Sequence, residues 1–193
     1  MEDMLIPRRV VSIFLLVDAS ERLKNCYEDR VNAILSELQS LIYEWVLGDD
    51  SDFPTTDFTT KIYYFKNLAA GYTTLNSRLS SRADFSREVD CSYFAPIIIL
   101  ISDGKQVESI VDYKFALNTL KANNWFKAAV RIAINLGVDE DNLVLSEFTM
   151  NSESILNIHS VSDLRHMFRN PCHIRVSGVL EESDNDSLDW DDW

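Results

Sequence analysis

Cysteine, basic residues and long apolar runs are all scarce in this sequence of 193 residues. The three cysteines, Cys26, Cys91 and Cys172, are widely spaced and form no CxxC motif. This pattern argues against a zinc site and a disulfide framework and favours a reducing compartment. The apolar run at residues 10–17 is too short to cross a bilayer. No signal-peptide pattern surrounds it, so we expect a cytoplasmic protein.

Basic residues are clearly outnumbered, with 18 Lys and Arg against 31 Asp and Glu and a net charge of −13. The excess is uneven, because residues 181–193 contain seven acids and no base, which leaves 24 acids and 18 bases elsewhere, or −6. A mildly acidic body disfavours non-specific binding to nucleic acids and anionic membranes, which need a basic surface. We therefore expect neither of these as a partner.

Several motifs of common enzyme classes are also absent. Ser20 does not lie in a GxSxG nucleophile elbow, and the sequence contains neither GxGxxG nor GxxxxGK[ST]. His159, His166 and His173 are scattered late in the chain, where surface positions are more common than metal ligation. We expect a protein that is not an enzyme.

Two apolar runs dominate what is present, and each ends on an aspartate. The segment RRVVSIFLLVDASER, residues 8–22, reaches Asp18, and PIIILIS, residues 96–102, is followed by Asp103. Continuous runs rich in β-branched residues are typical of strands that are buried on both faces of a parallel sheet. With a third such run at residues 128–136, they predict a doubly wound, mostly parallel α/β sheet flanked by helices.

The remaining periodicities predict the other elements. Three-and-four spacing of apolar residues predicts helices at 21–47, 75–87, 111–123 and 161–168. Turn residues and shorter patterns predict a loop at 67–74 and a short helix or turn at 139–145. The remaining predicted elements are an edge strand at 61–65, short strands at 148–151 and 155–158, and an edge strand or linker at 173–179. We expect one domain at 1–170, a terminal strand or linker at 171–180, and an acidic tail at 181–193 that is disordered when free.

Three segments resemble the von Willebrand factor A (vWA) domain, in which a DxSxS motif, a loop threonine and a later aspartate form a metal-ion-dependent adhesion site (MIDAS). They are DASER at residues 18–22, GYTTL at 71–75 and SDG at 102–104. The segments RIAINLGVDEDN, residues 131–142, and LRHMF, residues 164–168, are similar to the bacterial TerY-like branch. This resemblance implies a cytosolic interaction scaffold in a stress-response, tellurite-resistance or defence system.

The resemblance also implies a site for Mg²⁺ or Mn²⁺ at Asp18, Ser20, Thr73 and Asp103, with one position left for a partner's Asp or Glu. Hard oxygen ligands of this kind suit Mg²⁺. Arg22 stands where the family has its second serine, so we expect cation binding that is weak or absent. Asp and Ser after a strand are also common helix caps, which would explain them without a metal.

The tail carries the last candidate site. Its final residues are partner-binding candidates because a solvated acidic end rarely needs two tryptophans. They are Asp189, Trp190, Asp191, Asp192 and Trp193.

Two other function classes use similar carboxylates. A receiver domain would use Asp103 as its phosphoacceptor, but Asp103 follows Asp18 by 85 residues, which is far for that compact fold. A metal-dependent hydrolase would use Asp18 and Asp103 on two Mg²⁺ ions, although the sequence offers no evident general base.

Overall fold

The computed structural model of this chain describes residues 8–47, 56–81, 91–105, 108–137, 142–158 and Leu164. Within these residues, strands and helices alternate around one central sheet. The strands are β1 (Arg8–Asp18), β2 (Thr56–Phe65), β3 (Cys91–Tyr93), β4 (Ile97–Ser102), β5 (Val130–Asn135) and β6 (Ile155–Asn157). The helices are α1 (Glu21–Leu47), α2 (Leu68–Ser80), α3 (Ile110–Ala122), α4 (Asn124–Ala128) and α5 (Leu143–Thr149).

The sheet has the strand order β2-β1-β4-β5-β6, and β3 pairs with the start of β1. Each of these pairings is parallel. Because parallel strands all end at the same side, the chain leaves β1, β4 and β5 at one edge, which we call the carboxyl edge. The predicted α/β sheet, with residues 10–17, 96–102 and 128–136 at its centre, is confirmed.

Both faces of the sheet are covered. In β1, Ile13 and Leu15 belong to the apolar cluster beneath α1, whereas Phe14 and Leu16 belong to the cluster beneath the other helices. All six residues of β4 are buried. Successive side chains of a strand point to opposite faces, so a strand covered on both sides must be apolar at nearly every position. This explains the uninterrupted runs in the sequence.

Helix α2 corrects the predicted loop at residues 67–74. Asn67 caps this helix, since its side chain accepts a hydrogen bond of 2.8 Å from the backbone nitrogen of Ala70. The helix then buries Tyr72 and its neighbours at helical spacing. Gly71 was interpreted as a loop residue, but a Cβ at this position would lie 2.8 Å from the ring of Phe65. Close packing of the helix against the end of β2 therefore explains this glycine.

Other boundaries also differ from the expectations. Strand β2 begins at Thr56 rather than at residue 61, and β3 and α4 were not predicted. The strand predicted at 148–151 is wrong, because Phe148 and Thr149 end α5 and Met150 adopts the left-handed conformation of a helix C-cap, with φ 58°. A 3-10 turn, Ser152–Ser154, then leads into β6.

Part of the prediction lies outside the described residues. This applies to residues 173–179, the domain boundaries near 170 and 180, and most of the helix predicted at 161–168, of which Leu164 is described as helical and buried. Among the helices of the described ranges, none combines the length and the apolar character that a membrane crossing requires.

Candidate functional site

Asp18 ends β1 and Asp103 follows β4, and the pairing of these neighbouring strands brings both residues to the carboxyl edge. Strands β1 and β4 are paired in parallel, with Val17 opposite Ile101. This register brings the end of β1 next to Ser102, whose hydroxyl donates a hydrogen bond of 2.8 Å to Asp18 Oδ2. The backbone nitrogen of Ser20 donates to Asp18 Oδ1 at 3.0 Å. Both carboxylate oxygens of Asp18 therefore already have partners.

Asp18 is buried, with 5% of its surface exposed. Burial raises the pKa of Asp18, and the hydrogen bonds from Ser20 and Ser102 offset this only in part. The negative charge of Asp103 adds a further increase in the same pKa. A buried carboxylate of this kind is stabilised in its ionised form by a nearby positive charge.

Arg22 provides the positive charge at this edge. It lies in the first turn of α1, and its Nη2 donates to Asp103 Oδ1 at 2.8 Å while its Nη1 pairs with Oδ2. Two parallel hydrogen bonds of this type fix the geometry as well as the charge balance. The Arg22 side chain is 32% exposed and that of Asp103 is 4% exposed. The ion pair therefore has a buried anion and a cation that reaches the surface.

The segment after β4 is held in place by Asn142. Its Nδ2 donates to the carbonyl oxygen of Asp103 at 2.7 Å, and its Oδ1 accepts from the nitrogen of Leu145 at 3.2 Å as the cap of α5. Gly104 adopts a positive φ of 67°, and a Cβ there would lie 2.3 Å from Asn142 Oδ1. Only glycine takes this backbone conformation without strain while leaving room for the amide.

Ser20 is buried at the same edge, but its hydroxyl is left without a partner. The residue is 8% exposed, and its Oγ lies near the Asp18 carboxylate but makes no hydrogen bond of good geometry among the described atoms. Its carbonyl oxygen accepts from the nitrogen of Lys24, as expected for the residue that precedes a helix. Buried hydroxyls are normally satisfied, so this oxygen is a candidate ligand for something absent from the chain itself.

The structure does not bring Thr73 into this group. Thr73 lies in the second turn of α2, is exposed, and donates its hydroxyl hydrogen bond to the carbonyl oxygen of Ala69 at 2.8 Å. No contact joins it to Asp18, Ser20 or Asp103 in the part of the chain that the structure describes. The tail candidates at 189–193 lie outside the described residues.

Two contributors to the site were missed in the sequence. Ser102 is the last residue of a predicted apolar strand, and Asn142 falls within the short helix or turn predicted at 139–145. A signal existed for Asn142, because asparagine just before a helical apolar run is a preferred cap. Nothing in the local sequence indicates that its amide also reaches Asp103, since that contact depends on how α5 packs beside β4.

The donor set does not fit a divalent cation while Arg22 is paired with Asp103. Both oxygens of Asp103 accept hydrogen bonds from Arg22, and Oδ1 accepts another from the nitrogen of Lys105 at 3.1 Å. Ser20 is the single predicted ligand with a spare buried oxygen. Across the described ranges, no cluster of three or more His, Cys, Asp or Glu side chains could hold a metal ion.

No protein-family model matches this chain, and no curated protein matches it significantly. Two solved structures of proximal thread matrix protein 1 (PTMP1) from the mussel byssus are similar to it. One, in crystal form 2, has a TM-score of 0.54 and 17% identity and covers 84% of this chain and 47% of that chain. The other, with a zinc-occupied MIDAS motif, has a TM-score of 0.54 and 16% identity at the same coverage.

This chain thus spans about half the length of the PTMP1 chains. At this level of identity the likeness shows the fold and not the ligand, so the zinc belongs to PTMP1. Together with the parallel strand order, the likeness shows that this chain has an α/β fold of the vWA or Rossmann-like type.

Proposed function

We propose that this chain is a non-catalytic protein-interaction module that binds its partner at the carboxyl edge of the sheet. The observation that carries this proposal is the Arg22–Asp103 ion pair, which presents a fixed guanidinium at the surface. The site also lacks the features of an activated nucleophile, since the Ser20 hydroxyl makes no hydrogen bond of good geometry to a base among the described residues. A fixed charge on a rigid sheet edge suits recognition of an acidic side chain.

The surroundings of Asp18 support a binding surface. A shallow cleft beside it is lined by Leu23, Lys24 and Tyr64, among others. Tyr64 is 64% exposed although it is large and aromatic. Aromatic side chains next to a positive charge are common at protein interfaces. We propose that a partner's Asp or Glu contacts Arg22, which lies outside this cleft, and that the tail residues at 189–193 provide a second contact.

The finer assignment rests on the sequence resemblance. We propose a TerY-like vWA scaffold in a bacterial multi-protein system for stress response, tellurite resistance or defence, located in the cytoplasm. We also propose the vWA-like domain at 1–170, the linker or strand at 171–180 and the acidic tail at 181–193. Any binding of Mg²⁺ or Mn²⁺ by the natural sequence is weak or absent under this proposal, because Arg22 occupies Asp103.

A quantitative pull-down from the native host tests the function. Wild type, Arg22→Ala/Asp103→Ala, a truncation after residue 180, and Lys127→Ala would serve as baits. Lys127 is an exposed residue of α4, which precedes β5 and so lies at the opposite edge. We expect a partner that wild type and Lys127→Ala recover equally and that the site variant loses at least about tenfold, which corresponds to about 1.4 kcal/mol. The truncation should recover less of it.

Equal recovery by the folded site variant would contradict the proposal. Circular dichroism of each bait provides the folding control. The receiver alternative is tested on the same samples, since acetyl phosphate and intact-mass measurement would reveal a phosphoryl group on Asp103. The Asp103 carboxylate is already bound on both oxygens, so we expect no added mass.

A further inference from the structure

We infer that the guanidinium of Arg22 takes the place of a divalent cation, and that the oxygens around it form a cation site when this side chain is removed. The inference goes beyond the proposed function, because it concerns the charge balance of the site and requires no partner. It is based on three groups that the carboxyl edge brings together: the carboxylates of Asp18 and Asp103 and the hydroxyl of Ser20.

The end of β4 connects the two carboxylates. Asp18 accepts a hydrogen bond from Ser102, and Asp103 is the next residue along the chain, with its carboxylate held by Arg22. Each carboxylate is almost completely buried. Two buried anions so close together need compensation by positive charge. Among the described residues, Arg22 provides this charge through its ion pair with Asp103.

The geometry of Arg22 explains why an additional cation is excluded. Its two terminal nitrogens use both oxygens of Asp103, and Nη2 also approaches the carbonyl oxygen of Lys105 at 3.4 Å. A divalent ion would have to displace these hydrogen bonds and would also be repelled by a permanent positive charge. The site is therefore already filled and neutralised by the chain itself.

The hydroxyl of Ser20 is the evidence that a ligand position is left over. It is buried, it lies two residues after Asp18 and close to that carboxylate, and it makes no hydrogen bond of good geometry among the described atoms. A buried hydroxyl whose hydrogen bonds are incomplete is costly. With Arg22 removed, two carboxylates and one hydroxyl would remain, and hard oxygens of this type select Mg²⁺ or Mn²⁺.

The test is cation binding by Arg22→Ser, which replaces the guanidinium by one more hydroxyl. Calorimetry with Mg²⁺ and Mn²⁺, and electron paramagnetic resonance of Mn²⁺, would be run on wild type and on this variant. We expect no saturable site in wild type at about 1 mM Mn²⁺, and one site in Arg22→Ser with a Kd at least about tenfold below that concentration. Arg22→Ser/Asp18→Asn should lose that site again.

Thermal unfolding gives an independent measurement. Arg22→Ser should melt below wild type without metal, and Mn²⁺ should raise its melting temperature while leaving that of wild type unchanged, because a ligand stabilises only the state that it binds. If Arg22→Ser does not fold, Arg22→Gln removes the charge but retains a side-chain donor toward Asp103. It should then show intermediate affinity for Mn²⁺.

Two results would overturn the inference. The first is tight, saturable Mn²⁺ binding by wild type, which would show that Arg22 does not occupy the position of the ion. The second is a folded Arg22→Ser and a folded Arg22→Gln that bind no more Mn²⁺ than wild type. The first result would also contradict the weak cation binding proposed above. Neither result bears on partner recovery by wild type, so failure of this inference is distinguishable from failure of the proposed interaction function.

Discussion

Two ion pairs in this protein each join a basic side chain to a carboxylate, but they have different surroundings. Arg22 pairs with Asp103 at the carboxyl edge, where the anion is 4% exposed, and Lys114 pairs with Glu147 between α3 and α5, where the anion is 36% exposed and the cation 45%. Exposed pairs contribute little to stability, because water solvates both partners when they separate. A buried carboxylate has no such alternative. Burial of the anion, rather than the presence of a salt bridge, should decide which pair matters.

Replacing Arg22 by Met should have the largest effect, because it leaves Asp103 buried without its cation. Breaking a fully buried pair costs about 3–5 kcal/mol. Arg22 is partly exposed, and the nitrogen of Lys105 still donates to Asp103, so we expect a loss of about 2–3 kcal/mol. The matched change at the exposed pair, Lys114→Met, should cost less than about 0.5 kcal/mol. Urea unfolding at pH 7 measures both.

A double-mutant cycle sharpens this prediction. In an Asp103→Asn background no buried anion remains, so most of the cost of Arg22→Met should disappear, and the coupling between the two sites should exceed about 1 kcal/mol. Equal losses for Arg22→Met and Lys114→Met, or additive effects in the cycle, would show that burial does not separate the two pairs.

The next largest effect is expected from Asn142, whose side chain holds the segment that carries Asp103. Asn142 and Asn67 both cap helices, but only the side chain of Asn142 also donates to the carbonyl oxygen of Asp103. Loss of a cap costs about 1 kcal/mol, so Asn67→Ala should cost this amount. Asn142→Ala should cost about 2 kcal/mol, because it removes a second, part-buried hydrogen bond as well. Thermal unfolding compares the two variants, and equal melting temperatures would contradict this role for Asn142.

The positions of the two aspartates were predictable from the sequence, because the apolar runs before them are long and strongly patterned. A strand covered on both faces must be apolar throughout, and parallel strands end at one edge. The same argument could not place Thr73. The predicted position of Thr73 depended on interpreting Gly71 as a loop residue, whereas a glycine is needed there because the ring of Phe65 packs closely against it. The close contact that explains it is between residues of different elements and leaves no local pattern.

The pairing of Arg22 with Asp103 could not be predicted from the sequence either. An early helical residue can point toward solvent or toward the strand ends, and both directions are compatible with DASER. Its actual direction follows from the path of residues 103–105, which Asn142 and Gly104 fix through contacts with α5. Whether a metal fits was therefore a question about side-chain geometry, and no spacing of motif residues could answer it.

The smallest effect is expected from Glu147→Gln, whose size depends on pH. Burial alone would raise the pKa of Glu147. Hydrogen bonds from Lys114 and from the Tyr113 hydroxyl, which lies 2.8 Å away, outweigh this effect. Together with the charges of Lys114 and Lys121, they lower the pKa below the ordinary value of 4.5. A pKa that is lower in the folded state adds stability above pH 4.5, and this contribution is lost as the pH falls through the folded pKa. The exposed setting keeps it small.

At pH 7, Glu147→Gln should therefore reduce the free energy of unfolding by less than about 0.5 kcal/mol. The difference from wild type should shrink progressively below pH 4.5, because the wild-type carboxylate is then protonated and resembles the amide. Glu153→Gln, an exposed change in the 3-10 turn, is the matched control for the loss of one surface carboxylate. Urea unfolding between pH 3 and pH 7 measures both curves. If Glu147→Gln reduced the free energy of unfolding as much as Arg22→Met, the exposed pair would stabilise the fold as strongly as the buried one. Burial of the anion would then not explain the difference between the two pairs.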